Sequence, residues 1–285
     1  MRKILVTGAT GFIGQYVVAA LLQGGHAVIA SSSSAEKAQK LPWFSKVQYK
    51  PLDLGAMEAG TDYFQYFDRP DAVIHLAWEG LPNYKASFHV DVNLPRHIDF
   101  VNNLLRHGLK DITITGTCFE YGMREGELSE DMPAAPANHY AMAKDRLRRH
   151  LQEQQEQYPF SFKWARLFYM YGEGQNPNSL LSQLDKALQN GDRTFNMSGG
   201  EQVRDYLPVE KMAAYIVEIA LQNKVDGIIN CCSGKPVTVK SRVEDYLKQK
   251  NKSITLNLGY YPYPDYEAMR FWGDTGKLNS IISKL

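Results

Sequence analysis

The chain has 285 residues, 44% hydrophobic and 22% charged, enough for one large α/β domain with a smaller lobe attached. A formal net charge of +1 gives no global reason to expect nucleic acid or an anionic membrane as a partner. No apolar run reaches the ~18 residues of a membrane span, and the three cysteines, Cys118, Cys231 and Cys232, suggest neither a disulfide framework nor a metal site. A cytoplasmic protein with no metal is the expectation.

The first predicted strand, 3–7, runs into Gly8-Ala9-Thr10-Gly11-Phe12-Ile13-Gly14, and a helix follows over 12–23. A strand, a glycine-rich turn and a helix in that order suit a dinucleotide pyrophosphate. Gly8 allows the tight turn, Gly11 lets backbone approach the phosphates, and Gly14 lets the helix pack close to the strand. The free N–H groups of the first helical turn, around Thr10, Phe12 and Ile13, then face the anion. The next strand, 26–31, ends in Ser31-Ser32-Ser33-Ser34 with Lys37 shortly after. An acid is common there in NAD-binding chains. Ser32, Ser33 and Lys37 instead suit a 2′-phosphate, which favours NADP(H) and leaves NAD(H) open. After a third strand at 46–50, Asp53 and Leu54 stand where adenine is expected. Asp53 serves equally well as a helix cap.

Further along, a helix at 57–67, a strand at 71–77, a helix at 84–107, a strand at 111–115, a helix at 138–157 and a strand at 161–166 are predicted. This alternation implies a doubly wound parallel sheet covered on both faces. Tyr140 and Lys144 lie one turn apart on a helix. An ammonium beside a phenol favours its ionised form, which makes Tyr140 usable as a general acid or base. Thr117, just beyond the strand 111–115, supplies a hydroxyl to orient a carbonyl. Tyr246 and Lys250 repeat the spacing in what reads as a surface helix. After residue 170 the pattern loosens into a smaller lobe. The domain reading is 1–170 for dinucleotide binding, with 203–232 returning to it, and 171–285 mainly for substrate.

Thr117, Tyr140 and Lys144 resemble the Ser/Thr-Tyr-Lys triad of the short-chain dehydrogenase/reductase superfamily. The remaining landmarks resemble its extended branch, the nucleotide-sugar epimerases, dehydratases and reductases. The resemblance implies that Leu76, Ala77, Trp78 and Asn93 line the cofactor. It implies that Arg204 pairs with a sugar-nucleotide diphosphate, that Asn178 and Ser179 add donors to it, and that Phe195 lines the base pocket. A homodimer through the 84–107 and 138–157 helices is also implied. Dehydratases of this branch carry an Asp-Glu pair after the catalytic threonine, and Cys118-Phe119 stand there instead. Trp78 crowds the place where an epimerase turns its keto sugar. The stretch Gly116–Gly122 looks most like reductases of nucleotide-activated 4-keto-6-deoxyhexoses, makers of deoxysugar donors for surface polysaccharide. A 4-epimerase is the alternative, and a non-enzymatic cofactor sensor a remote one.

Overall fold

Apolar strands that are buried on both sides need helices over both faces of their sheet, and this chain supplies them. The computed structural model describes residues 1–282. In chain order the elements are β1 (Lys3–Thr7), α1 (Phe12–Gln23), β2 (Ala27–Ser31), α2 (Ala35–Gln39), β3 (Gln48–Tyr49), α3 (Tyr63–Tyr66), β4 (Ala72–His75), α4 (Leu94–Arg106), β5 (Asp111–Thr117) and β6 (Gly126–Leu128). There follow α5 (His139–Gln157), β7 (Ser161–Leu167), β8 (Tyr169–Tyr171), α6 (Leu180–Asn190), β9 (Thr194–Asn196), β10 (Val203–Pro208) and α7 (Val209–Leu221). The last are β11 (Gly227–Cys231), β12 (Pro236–Thr238), α8 (Val239–Gln249), β13 (Thr255–Asn257), β14 (Phe271–Gly273) and α9 (Gly276–Ile281).

The main sheet has seven strands in the order β11-β7-β5-β4-β1-β2-β3. Every pairing within it is parallel. The expected doubly wound, Rossmann-type fold is therefore present, with a further lobe of small sheets. Helices α1 and α7 pack on one face through Val17, Val18, Leu21, Met212 and Ile216. Helices α4 and α5 cover the other through Phe100, Leu104, Leu147 and Leu151. Strand order reverses between β1 and β4. Beyond the carboxyl ends of those two strands lies the crevice where such sheets bind ligands.

Two predicted helices are shorter than expected. The pattern over 57–67 yields only α3, because Gly60 adopts φ +83° and Asp62 caps the helix by accepting the Gln65 N–H. The pattern over 84–107 yields a π-helical turn at His89–Asn93 before α4. Pro95, in the first turn of α4, lacks the N–H that would bond back to Asp91 in the π-helical turn.

The lobe comprises β8, β10 and β12 in one sheet, the pairs β9–β13 and β6–β14, and helices α6 and α8. Leu181, Leu184, Phe195, Val239 and Val243 form its core. Strand β10 connects the parts, because it pairs with β8 immediately beyond β7 and leads directly into α7.

Candidate active site

The glycine turn is built as a cradle. Gly8 sits at φ +67°, and a Cβ there would meet Ala77 N at 2.7 Å. A Cβ on Gly14 would come within 2.1 Å of the Gly8 carbonyl oxygen, so α1 packs against β1 only because this residue is glycine. No side chain among the described residues caps α1, whose N-cap is Gly11. Its first N–H groups, those of Phe12 and Ile13 included, are left for an anion. A cavity of about 200 Å³ opens over this turn, lined by Gly8, Thr10, Gly11, Ser32, Ser33, Leu54, Leu76, Ala77, Trp78 and Asn93. The shape and the donors fit a dinucleotide pyrophosphate.

Other predicted cofactor residues stand elsewhere. Lys37 is exposed on α2 and is not part of the cavity wall. Asp53 turns back to accept the Gly55 N–H at 2.7 Å, the capping role left open by the sequence. Asn93 is buried and donates to the Glu79 carbonyl at 2.9 Å. Beneath the cavity, Thr7 Oγ1 and His75 Nδ1 are 2.7 Å apart, and His75 Nε2 and His97 Nδ1 are also 2.7 Å apart. Burial pushes His75 down to about 3 and His97 well below its usual value, so both rings are neutral at physiological pH. His97 stacks on the Trp78 indole with ring centres 4.4 Å apart, which fixes that indole against the cavity.

Thr117 ends β5, and a 3₁₀ turn over Cys118–Tyr121 follows. Glu120, fully buried, folds back from that turn. It accepts the Thr117 N–H at 2.8 Å, the Trp164 Nε1–H at 3.0 Å and the Arg166 Nε–H at 2.8 Å. A carboxylate buried among three donors, one of them a guanidinium, sets the backbone at Thr117.

Tyr140 and Lys144 share the buried face of α5, whose N-cap Asn138 accepts the Ala141 N–H. Burial pushes the Tyr140 phenol well up, the nearby Tyr84 adds to that, and the Thr117 hydroxyl pulls it back. The lowering expected from Lys144 is not realised in this state. The Lys144 ammonium donates to the Thr115 carbonyl at 2.8 Å and stands 4.0 Å from the Trp78 ring centre, against 6.0 Å from that of Tyr140. Burial lowers Lys144 itself to about 7. The repeat of the motif at Tyr246 and Lys250 behaves differently. There the lysine lies 4.7 Å from its tyrosine ring, and both bond Asp185 on α6 at the surface.

Around Tyr140 the walls are aromatic. Tyr84 lies 5.6 Å from Tyr140 and packs on Phe119 and Tyr266, while Phe119 also meets Tyr169. Farther out, Arg204 is buried and bonds Glu267 Oε2 at 2.8 Å, which also accepts the Tyr169 hydroxyl at 2.6 Å. Its neighbour Asp205 anchors the N–H groups of Ser233 and Gly234. Asn178 and Ser179 lead into α6, and no side chain caps that helix among the described residues. Phe195 is packed in the core of the lobe.

Sequence reasoning missed Glu120, Arg166, His97 and Glu267. Nothing local distinguishes a buried charged residue from a solvated one when its partner is tens of residues away.

The sequence pattern of the NAD dependent epimerase/dehydratase family matches residues 4–232. The chain is 30% identical over 272 residues to a dTDP-6-deoxy-L-talose 4-dehydrogenase (NAD(+)) of Aggregatibacter actinomycetemcomitans, covering 95% of this chain and 99% of that one. A GDP-6-deoxy-D-talose 4-dehydrogenase from the same organism is 28% identical, covering 81% of this chain and 74% of its own. Among solved structures, a UDP-N-acetylglucosamine 4-epimerase from Methanobrevibacter ruminantium M1 superposes with a TM-score of 0.86 at 22% identity. That likeness covers 99% of this chain and 92% of the other, and it is a likeness of fold.

Proposed function

This chain belongs to the NAD dependent epimerase/dehydratase family, and on that premise we propose that it is a NAD(H)-dependent oxidoreductase acting at C4 of a nucleotide-linked 6-deoxyhexose. The observation that carries the reading is that Tyr140 and Lys144 both meet Trp78, a residue of the cavity wall over the glycine turn, while the Thr117 hydroxyl acts on Tyr140 and Tyr84 and Phe119 close in beside it. In the biosynthetic direction the reaction reduces a 4-keto group to an alcohol. A relative named for the dehydrogenation of a dTDP-6-deoxyhexose supports dTDP as the carrier.

When bound, the nicotinamide supplies or accepts the hydride at the sugar carbon. The chain's own residues handle the oxygen and its proton. Tyr140, kept protonated by burial, donates to the carbonyl oxygen as negative charge develops on it. Thr117 bonds the same oxygen and fixes its direction. Lys144, buried one turn along α5 with its Nζ 6.0 Å from the Tyr140 ring centre, is the cation that would offset the phenolate that remains once the substrate is in place. The aromatic walls exclude water and suit a sugar that carries a methyl group at C6.

Two finer points belong to this reading. The serines after β2 pointed to NADP(H), but Lys37 stands off the cavity wall, and a relative is named for NAD(+). NAD(H) is therefore the proposed partner. Cys118 and Phe119, buried beside Thr117, offer no acid-base pair for elimination; burial keeps the Cys118 thiol protonated. The alternative of a 4-epimerase requires the keto sugar to turn over within these walls, where Tyr84 and Trp78 both contact Tyr140.

The test is to mix the purified protein with NADH and dTDP-4-keto-6-deoxyhexose, and separately with the GDP- and CDP-linked ketones. Loss of nicotinamide absorbance, greatest with the dTDP ketone, supports the reading. No consumption with any of them refutes it.

A further inference from the structure

We infer that Arg96 grips the adenine end of the dinucleotide, a role that rests on the cavity over the glycine turn being the dinucleotide site. Among the described residues, Arg96 is the one lysine or arginine on the wall of that cavity. It projects from the first turn of α4, three residues after Asn93.

Its setting is specific. A Cβ built on Gly55 would lie 2.8 Å from both Cζ and Nη2 of Arg96 and 3.1 Å from Nη1. Three guanidinium atoms at nearly equal distance mean that the group rests face-on against the Gly55 backbone. Any larger residue there would displace it. Gly55 lies in the short turn that also carries Leu54, a residue of the cavity wall together with Leu52.

One face of the guanidinium is thus taken up by Gly55. Its one ion-pair partner among the described residues is Glu79 at 3.5 Å, and the two side chains are 36% and 55% exposed. A long, half-exposed pair of this kind contributes little and is readily exchanged. A planar cation with donors to spare, next to an apolar shelf of leucines, makes a slot for a flat heteroaromatic ring. Guanidinium planes stack on nucleobases for this reason. The glycine turn offers its own N–H donors to the pyrophosphate, and the flat guanidinium beside Leu52 and Leu54 suits the base. The ring is common to NAD(H) and NADP(H), and the grip does not discriminate between them.

Binding titrations of wild type, Arg96→Ala, Arg96→Lys and Gly55→Ala with NADH, NADPH, AMP and reduced nicotinamide mononucleotide test this. Arg96→Ala is expected to weaken NADH, NADPH and AMP alike by roughly tenfold. It should leave the mononucleotide, which lacks adenine, unaffected. Gly55→Ala keeps the charge but moves the plane, and should weaken the same three ligands. Arg96→Lys should fall between wild type and alanine. Thermal unfolding of each variant checks that it is folded. If Arg96→Ala binds AMP as tightly as wild type, the inference is wrong. A loss confined to NADPH would assign Arg96 to the 2′-phosphate and overturn it equally. If wild type binds neither dinucleotide, the failure lies with the site reading itself.

Discussion

The Lys144 ammonium lies over the indole of Trp78, 4.0 Å from the ring centre, although its sequence neighbour one turn back is Tyr140. Trp78 and the Thr115 carbonyl between them hold the cation inside the protein. Burial still lowers it from 10.5 to about 7. The folded-state value lies below the unfolded one. Between about 7 and 10.5, then, the unfolded chain carries a proton that the folded chain has shed. Stability contributed by this group rises with pH across that window, and the penalty is complete below it. Thermal unfolding of the ligand-free protein should show this rise, and Lys144→Met should lack it. Equal pH slopes for the two proteins would show that Lys144 is not desolvated.

Tyr140 is the proton donor in this account, and the cradle is separate from it. Tyr140→Phe should lower turnover by about 10²–10⁴-fold while NADH binding stays close to wild type. Turnover within a few-fold of wild type would remove Tyr140 from the chemistry.

Glu120 serves as a strut under Thr117. Glu120→Gln leaves the buried Arg166 guanidinium without its counter-charge, and it should destabilise the protein by about 3–5 kcal/mol in urea unfolding. The accompanying loss of turnover should follow from misplacing Thr117. A change below about 1 kcal/mol would mean that the pair is not desolvated as the structure has it.

Arg204 is tied to Glu267 in the ligand-free protein. If its guanidinium serves the substrate diphosphate, Glu267 competes with the substrate for it. Arg204→Ala should then raise KM for the sugar nucleotide by about tenfold or more, the scale of a lost charge-assisted bond. Glu267→Gln should lower it. Steady-state kinetics separates this from a purely structural role, in which both changes would damage the enzyme in the same direction.

Much of this was legible locally. The apolar run of β1, the glycine turn and the periodicity of α1 are short-range patterns, and α1 falls on Phe12–Gln23 as expected. Tyr140 and Lys144 were found the same way. Their interaction was not, because Trp78, far away in sequence, intercepts the ammonium. Glu120 with Arg166 and Arg204 with Glu267 are joined across 46 and 63 residues, and no spacing rule reaches that far. Lys37 misled for the opposite reason. Proximity in sequence to the serine run suggested a cation in the pocket, whereas the cation on the wall comes from α4.

The most direct test of the account follows deuterium from labelled NADH, carried on the transferable position, into a dTDP-4-keto-6-deoxyhexose. The account predicts one deuterium at C4 of a single 4-hydroxy product, with one NAD⁺ formed per sugar. Interconversion of two 4-hydroxy sugars with no net change in the dinucleotide would contradict it and identify an epimerase.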